Sequence, residues 1–142
     1  LFETISPGAF TRSRATRKDI LALVDHDPSR VLARTRSGTL RLNEDSRGLA
    51  FDLDVPETQN GSDVMALAAR CDLGGMSFGF QVTDENVTND RRELRDVELF
   101  EISVVAAFPA YADTVVHARS DLQTSIDTAH RLRTLQVLEL LT

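Results

Sequence analysis

Residues 49–55 alternate strictly between large apolar side chains and small or acidic ones. The apolar positions are Leu49, Phe51, Leu53 and Val55, and the positions between them are Ala50, Asp52 and Asp54. A period of two is that of a β-strand with one buried and one exposed face. Turn signals, Ser37-Gly38 and Ser46-Arg47-Gly48, precede this strand. We therefore predict a three-stranded antiparallel meander over residues 31–55.

Further elements are predicted on either side of this meander. Residues 5–12 indicate a turn that leads into a short polar helix. The apolar run Ile20–Val24 indicates a buried strand, with His26 at its end. Apolar residues at helical spacing predict a helix over 62–71, with Ser62 as N-cap and Cys71 on the apolar face. The later predictions are a strand over 76–82, a polar loop over 83–92, a strand over 97–108 and a C-terminal helix over 121–141.

The rhythm of alternating strands and helices that marks a parallel sheet is absent, so the fold class is α+β, with mainly antiparallel strands and a few helices. The 142 residues suggest one domain. Because the chain begins at Leu1 rather than Met, we expect it to be a fragment.

Composition argues against several functions. The formal net charge of −6 disfavours a nucleic-acid-binding surface. One cysteine gives no disulfide framework, and three histidines without ligand spacing give no metal site. No apolar run approaches the roughly 20 residues that cross a bilayer. We predict no cofactor, no metal and no membrane partner.

The sequence G-M-S-F-G at residues 75–79 matches the G-x-S-x-G pattern of a hydrolase nucleophile elbow. An elbow needs a strand, then the serine, then a helix, whereas here a predicted helix precedes the serine and a strand follows it. We therefore reject the elbow. Ser77 is left either as a small residue at the start of a strand or as a nucleophile of another fold.

A nucleophilic serine needs a base and an orienting carboxylate. His26 lies at the end of an apolar strand, and Glu101 lies in a strand that is apolar on both faces, where we place Leu99, Glu101 and Ser103 on one side. Each has a simpler interpretation: His26 as an exposed turn residue, and Glu101 as the partner of one of the arginines.

Five segments together resemble the prohead proteases of tailed bacteriophages. They are P-G-A-F (7–10), L-V-D-H-D-P (23–28), G-L-A-F-D-L-D-V-P (48–56), L-G-G-M-S-F-G-F-Q-V (73–82) and V-E-L-F-E-I-S-V-V-A-A-F-P-A-Y (97–111). The resemblance extends from about residue 6 to about residue 112, and it lies in the order and spacing of the segments. It implies that His26 is the base, Ser77 the nucleophile and Glu101 the third catalytic residue.

The family is related in fold to the herpesvirus assemblins, so the resemblance implies a mainly antiparallel β-barrel surrounded by helices. It also implies a strand before P-G-A-F, which we expect this chain to lack. We divide the chain into a protease domain, residues 1–120, and a C-terminal helix, residues 121–142, that acts as an interaction or linker segment. For the oxyanion we consider the backbone of Gly74 and Gly75 and, as in the assemblins, an arginine, here Arg92.

The implied function is that of a serine endopeptidase acting inside the prohead, in the host cytoplasm. Its substrates are scaffold, the leading segment of the capsid protein and the enzyme itself, and we expect a homo-oligomer, with a dimer as one form. Two alternatives stay open: an inactive relative that serves as internal scaffold or assembly factor, and a β-barrel binding module without a triad.

Overall fold

The structure is a computed structural model that describes residues 2–17, 19–45, 48–107, 114–120 and 133–139, the last two ranges by their backbone alone. In chain order the elements are β1 (Phe2–Ile5), α1 (Thr11–Thr16), β2 (Leu21–Val24), β3 (Asp27–Arg34), β4 (Leu40–Asp45), β5 (Gly48–Asp54), α2 (Gln59–Ala69), β6 (Gly75–Val87), β7 (Arg91–Val105), β8 (Thr114–Ser120) and β9 (Arg133–Glu139). A short 3₁₀ turn, Thr35–Ser37, lies between β3 and β4. Neither α-helix in these ranges has the length and apolar character needed to span a membrane.

Strand β7 organises the first of two sheets. It pairs along its length with β6 in antiparallel orientation. Since a strand has two edges, the other edge carries both of its parallel partners, β1 near the start of β7 and β2 near its end. Strand β3 continues this sheet beyond β2. We expected no strand before P-G-A-F, and β1 shows that this expectation is wrong.

The second sheet has the order β4-β5-β9-β8, with all neighbours antiparallel. Together the two sheets and two helices give the predicted α+β class. The described strands form two sheets and no closed barrel, so the barrel prediction is not confirmed. The reason is that alternation reveals which face of a strand is buried, whereas closure depends on which edges meet.

The predicted meander is correct in its second half only. Strands β4 and β5 form an antiparallel hairpin, but β3 pairs with β2 in the other sheet. The 3₁₀ turn and Gly38, whose φ of 77° is left-handed, redirect the chain between the sheets. The alternation itself is confirmed, because Leu49, Phe51 and Leu53 are all buried in the core.

The predicted polar loop over residues 83–92 is largely a hairpin. Strand β6 continues to Val87 and β7 begins at Arg91, so only three residues form the turn. Polar side chains occupy this region because it is largely exposed to solvent. The run of mostly polar residues therefore indicated exposure rather than irregular backbone.

Helix α1 agrees with the predicted short polar helix, whereas α2 begins three residues before the predicted start. Thr58, not Ser62, is the N-cap, and its side chain accepts a hydrogen bond of 3.1 Å from the backbone N–H of Gly61. Cys71 is exposed, so its predicted place in the core is wrong. The helix ends in a Schellman motif with Cys71 in the left-handed conformation (φ 60°), which takes this residue out of the helical face.

The C-terminal helix predicted over residues 121–141 is wrong where the structure describes the chain. Residues 133–139 form strand β9, which pairs with both β5 and β8. Residues 121–132 lie outside the described ranges. The segment R-T-L-Q-V-L-E also fits a strand, and pairing with β5 outweighs the helical spacing. The division at residue 120 stays a prediction.

Candidate active site

The turn between β2 and β3 holds His26. Val24 pairs with Asp27, and the two residues between them, Asp25 and His26, both have left-handed φ values of 49° and 58°. Two positive φ values are typical of a type I′ hairpin turn, although residues other than glycine adopt them uncommonly, Asn, Asp and His more often than the rest. His26 is therefore held in an unfavourable backbone conformation, a feature that is concentrated at functional sites.

Three hydrogen bonds fasten this turn to the end of β7. The backbone N–H of Asp25 donates to the carbonyl of Val104 (2.9 Å), and its side chain accepts from the N–H of Ala106 (3.0 Å). The N–H of His26 donates to the Oγ of Ser103 (3.0 Å). The turn thus crosses the edge of β7 and brings the imidazole over the sheet.

The register of β6 and β7 places the other polar residues on one face. Ser77 lies opposite Ser103, and Gly79 lies opposite Glu101. Residues two apart on a strand point the same way, so both pairs share a face. This face carries the polar groups, while Ile102 lies in the core, 1% exposed.

A β-bulge at Phe100 creates this arrangement. Gly79 pairs with Glu101, but the next residue, Phe80, pairs with Leu99. The extra residue reverses the alternation, so that Leu99 and Ile102 are both buried in the core. We predicted that Leu99 shares a face with Glu101, and the bulge shows that this is wrong.

The structure brings His26, Ser77 and Glu101 together, although they are distant in sequence. The Nε2 atom of His26 lies 3.0 Å from the Oγ of Ser77, and its Nδ1 atom lies 2.5 Å from Oε1 of Glu101. The imidazole is 44% exposed and the Glu101 side chain 12%. Ser77 is buried, at 6% exposure.

The order of these contacts fixes the chemistry available to each atom. Because a carboxylate only accepts hydrogen bonds, we assign the imidazole proton to Nδ1, where it donates to Glu101. Nε2 is then the acceptor that faces the hydroxyl of Ser77. This is the arrangement of a serine hydrolase triad, in which the base is oriented by the acid and removes the proton of the nucleophile.

Gly79 explains the second glycine of G-x-S-x-G. A Cβ atom at residue 79 would lie 2.9 Å from Cγ and 3.0 Å from Cδ of Glu101, and it would overlap Oε1. The glycine leaves space for the carboxylate and makes no sharp turn, since β6 is extended through residues 75–87. The rejection of a nucleophile elbow is confirmed.

Ser103 belongs to the site but was not among the predicted residues. Its Oγ donates to Oε2 of Glu101 (2.6 Å) and accepts from the N–H of His26. The side chain is fully buried. The available signal was the spacing Glu-x-Ser in a strand, which places both side chains on one face.

The residues considered for the oxyanion differ in their positions. Gly75 is buried on β6, two residues from Ser77, and its role stays a prediction. The N–H of Gly74 donates to the carbonyl of Val105 (2.9 Å), so it is already used.

The assignment of Arg92 to the oxyanion is wrong. Arg92 lies eleven residues along β7 from Ser103, roughly 35 Å at the rise of an extended strand. There its guanidinium pairs with Glu85 (2.5 Å) and Glu3 (3.1 Å), and these hydrogen bonds raise its pKa. The local sequence around Arg92 does not indicate that the β6–β7 hairpin is this long.

A cleft of about 490 Å³ lies between α1, β4 and the 3₁₀ turn, away from the triad. Its two arginines, Arg14 and Arg17, pair with Glu44 and Glu98. The described residues hold no cluster of three His, Cys, Asp or Glu side chains placed to bind a metal ion.

Comparison with known proteins identifies a family for this chain. The family described as caudovirus prohead serine protease matches residues 1–129, which is most of the chain. Among curated proteins and among solved structures, no significant match is found. The family match agrees with the resemblance that the sequence segments indicated.

Proposed function

Because the chain belongs to the caudovirus prohead serine protease family, we propose that it is a serine endopeptidase with Ser77 as nucleophile, His26 as base and Glu101 as orienting acid. The single observation that supports these roles best is the continuous contact from Ser77 Oγ through the imidazole to the carboxylate of Glu101. Three residues of the right types, far apart in sequence, meet at the distances that proton transfer requires.

The reaction follows from these contacts. Nε2 of His26 takes the proton of Ser77 as Oγ bonds to the carbonyl carbon of a peptide, and Glu101 stabilises the imidazolium. The carbon–nitrogen bond then breaks, and the leaving amine takes the proton from Nε2. Water, deprotonated by the same nitrogen, attacks the acyl-enzyme and releases the acid and the free serine. Backbone N–H donors stabilise the oxyanion, each worth about 3–4 kcal/mol, and Gly75 is the candidate that remains.

The proposed substrates are the scaffold and the leading segment of the capsid protein, cleaved inside the prohead during maturation in the host cell. Membership of a prohead protease family supports this role. Cleavage of the enzyme itself, assembly into a homo-oligomer or dimer and the relation to the assemblins remain predictions.

Labelling with a fluorophosphonate tests the proposal directly. This probe reacts with an activated serine, so it should modify Ser77, as located by mass spectrometry of the digested protein. Ser62→Ala, which changes an exposed serine, is the control and should be labelled at the wild-type rate. If the folded wild type is not labelled, the protease proposal is wrong, and the alternatives are a scaffold or assembly factor and a binding module without a triad.

A further inference from the structure

The carboxylate of Glu101 is held by a different group at each oxygen. Oε1 contacts Nδ1 of His26, and Oε2 accepts the hydroxyl proton of Ser103 at 2.6 Å. A carboxylate with one oxygen free can rotate about its terminal torsion, which is broad and has no strong preference. The second hydrogen bond fixes that torsion, and with it the direction in which Oε1 faces the imidazole.

Ser103 also holds the backbone that carries the imidazole. Its Oγ accepts the N–H of His26 at 3.0 Å, so one hydroxyl joins the base and the acid of the triad. The side chain is fully buried, with both its donor and its acceptor used by the site. At 0% exposure it cannot contact a substrate peptide.

Gly79 limits the carboxylate from the opposite strand. A side chain there would press on Cγ and Cδ of Glu101 and overlap Oε1. The φ of Gly79 is not in the left-handed region, so its backbone is open to any residue. The glycine is required for space alone, and the group that occupies this space is the catalytic acid.

We propose that Ser103 and Gly79 are positioning residues that hold Glu101 in the one orientation in which it can align His26. This inference depends on the proposed function, since it assigns these residues to the same triad. Ser103 fixes the carboxylate by a hydrogen bond, and Gly79 admits it by the absence of a side chain.

The effect of Gly79 should therefore disappear when Glu101 is removed, and that of Ser103 should shrink to the part carried by its hydrogen bond to the N–H of His26. Ser103→Ala and Gly79→Ala should each lower the rate constant of fluorophosphonate labelling about 10- to 100-fold, because a misplaced triad loses rate steeply with distance. In the background of Glu101→Ala, Gly79→Ala should cost less than about 3-fold, and Ser103→Ala should cost clearly less than in the wild-type background, since residues that act through one partner are not additive.

Ser13→Ala is the matched control. Ser13 is also fully buried but lies in α1, outside the site, so its substitution should leave the labelling rate near that of wild type. If Ser103→Ala does not fold, Ser103→Cys keeps a weak donor of similar size and should give an intermediate rate. Equal losses of labelling rate in the wild-type and Glu101→Ala backgrounds, or no loss in either, would overturn the inference.

A second measurement separates this inference from the proposed function. The proton that we assign to Nδ1 of His26, hydrogen-bonded to Glu101, should give a far-downfield NMR signal whether or not the protein cleaves peptides. Ser103→Ala should shift or remove that signal, while Ser13→Ala should not. An unlabelled wild type would refute the protease, and an unchanged signal in Ser103→Ala would refute the positioning role.

Discussion

The left-handed backbone of His26 shows how single residues carry this site. The imidazole faces Ser77 from a turn that hydrogen bonds fasten to β7, among them the one from the N–H of His26 to Ser103. This backbone conformation costs of order 1–3 kcal/mol, and it persists because the surrounding hydrogen bonds determine it. At this scale, each side chain of the triad contacts a partner that is distant in sequence.

Substitutions in the triad should rank the three residues. Ser77→Ala and His26→Ala should each lower kcat by about 10⁶-fold, since either change removes the nucleophile–base pair. Glu101→Gln should be milder, about 10⁴-fold, because the pair remains but its orientation is lost. Cleavage of capsid protein or scaffold, followed by gel electrophoresis, measures both losses.

Circular dichroism of the same variants is the control, because all three must fold as the wild type does. Normal cleavage by Ser77→Ala would contradict the nucleophile assignment. A Glu101→Gln variant that is unfolded rather than slow would make Glu101 a structural residue.

At the scale of elements, helix α2 contains a glycine that its context requires. Gly61 packs so closely on the chain before the helix that a Cβ atom would overlap the carbonyl of Pro56. In an exposed helix, Gly→Ala stabilises by about 1 kcal/mol. Here the effect should have the opposite sign, and Gly61→Ala should lower the free energy of unfolding by about 1–3 kcal/mol through overpacking. Urea denaturation measures the change.

The neighbouring residue provides the comparison for that measurement. Ser62 is exposed in the same turn of α2, so Ser62→Ala should follow helix propensity and leave stability equal or slightly higher. A stabilised Gly61→Ala variant would mean that the helix and Pro56 do not pack as described.

The start of β2 is joined to β3 by an ion pair with a defined pH dependence. Nε and Nη2 of Arg34 donate to Oδ2 of Asp19 at 2.9 and 2.6 Å. These hydrogen bonds lower the pKa of Asp19, aided by the N–H of Arg36. A lowered folded pKa means that the contribution is complete above the unfolded pKa and is lost as the pH falls through the folded one.

Asp19→Asn should therefore lower the free energy of unfolding at neutral pH, by up to about 1 kcal/mol for a pair this exposed. The difference from wild type should shrink below about pH 4, where the unfolded carboxylate is protonated. Denaturation at neutral pH and at about pH 3 tests this. A difference that stays constant with pH would show that the charge of Asp19 does not contribute.

At the scale of the whole molecule, the two ends of the described chain both complete sheets. β1 pairs with β7, and β9 pairs with both β5 and β8. An end strand that pairs in this way covers an edge which would otherwise offer unpaired N–H and C=O groups. The second sheet thus depends on a segment that the sequence pattern assigned to a separate helix.

Truncation after Ser120 tests whether residues 121–142 are separable. Removal of β9 should uncover β5, lower the Tm and promote association of the protein, which thermal unfolding and light scattering measure. The shortened chain should also lose fluorophosphonate labelling if the sheets fold together. An unchanged Tm and full labelling would support the division at residue 120.

Sequence alone determined the half-buried strand over residues 49–55 and the candidates for the triad. Alternation at Leu49, Phe51 and Leu53 requires a half-buried strand, whatever the partner, because the period of side chains along an extended backbone is two. The family resemblance named His26, Ser77 and Glu101, and the order of the segments was enough for that.

Only the tertiary structure decided which edges pair and where each side chain points. The bulge at Phe100 turns Glu101 away from the core. The length of the β6–β7 hairpin places Arg92 far from the site, and the register between β6 and β7 places Ser103 in the site. These features depend on hydrogen bonds between residues far apart in the chain. A local pattern cannot encode them, because the same alternation is compatible with several registers and partners.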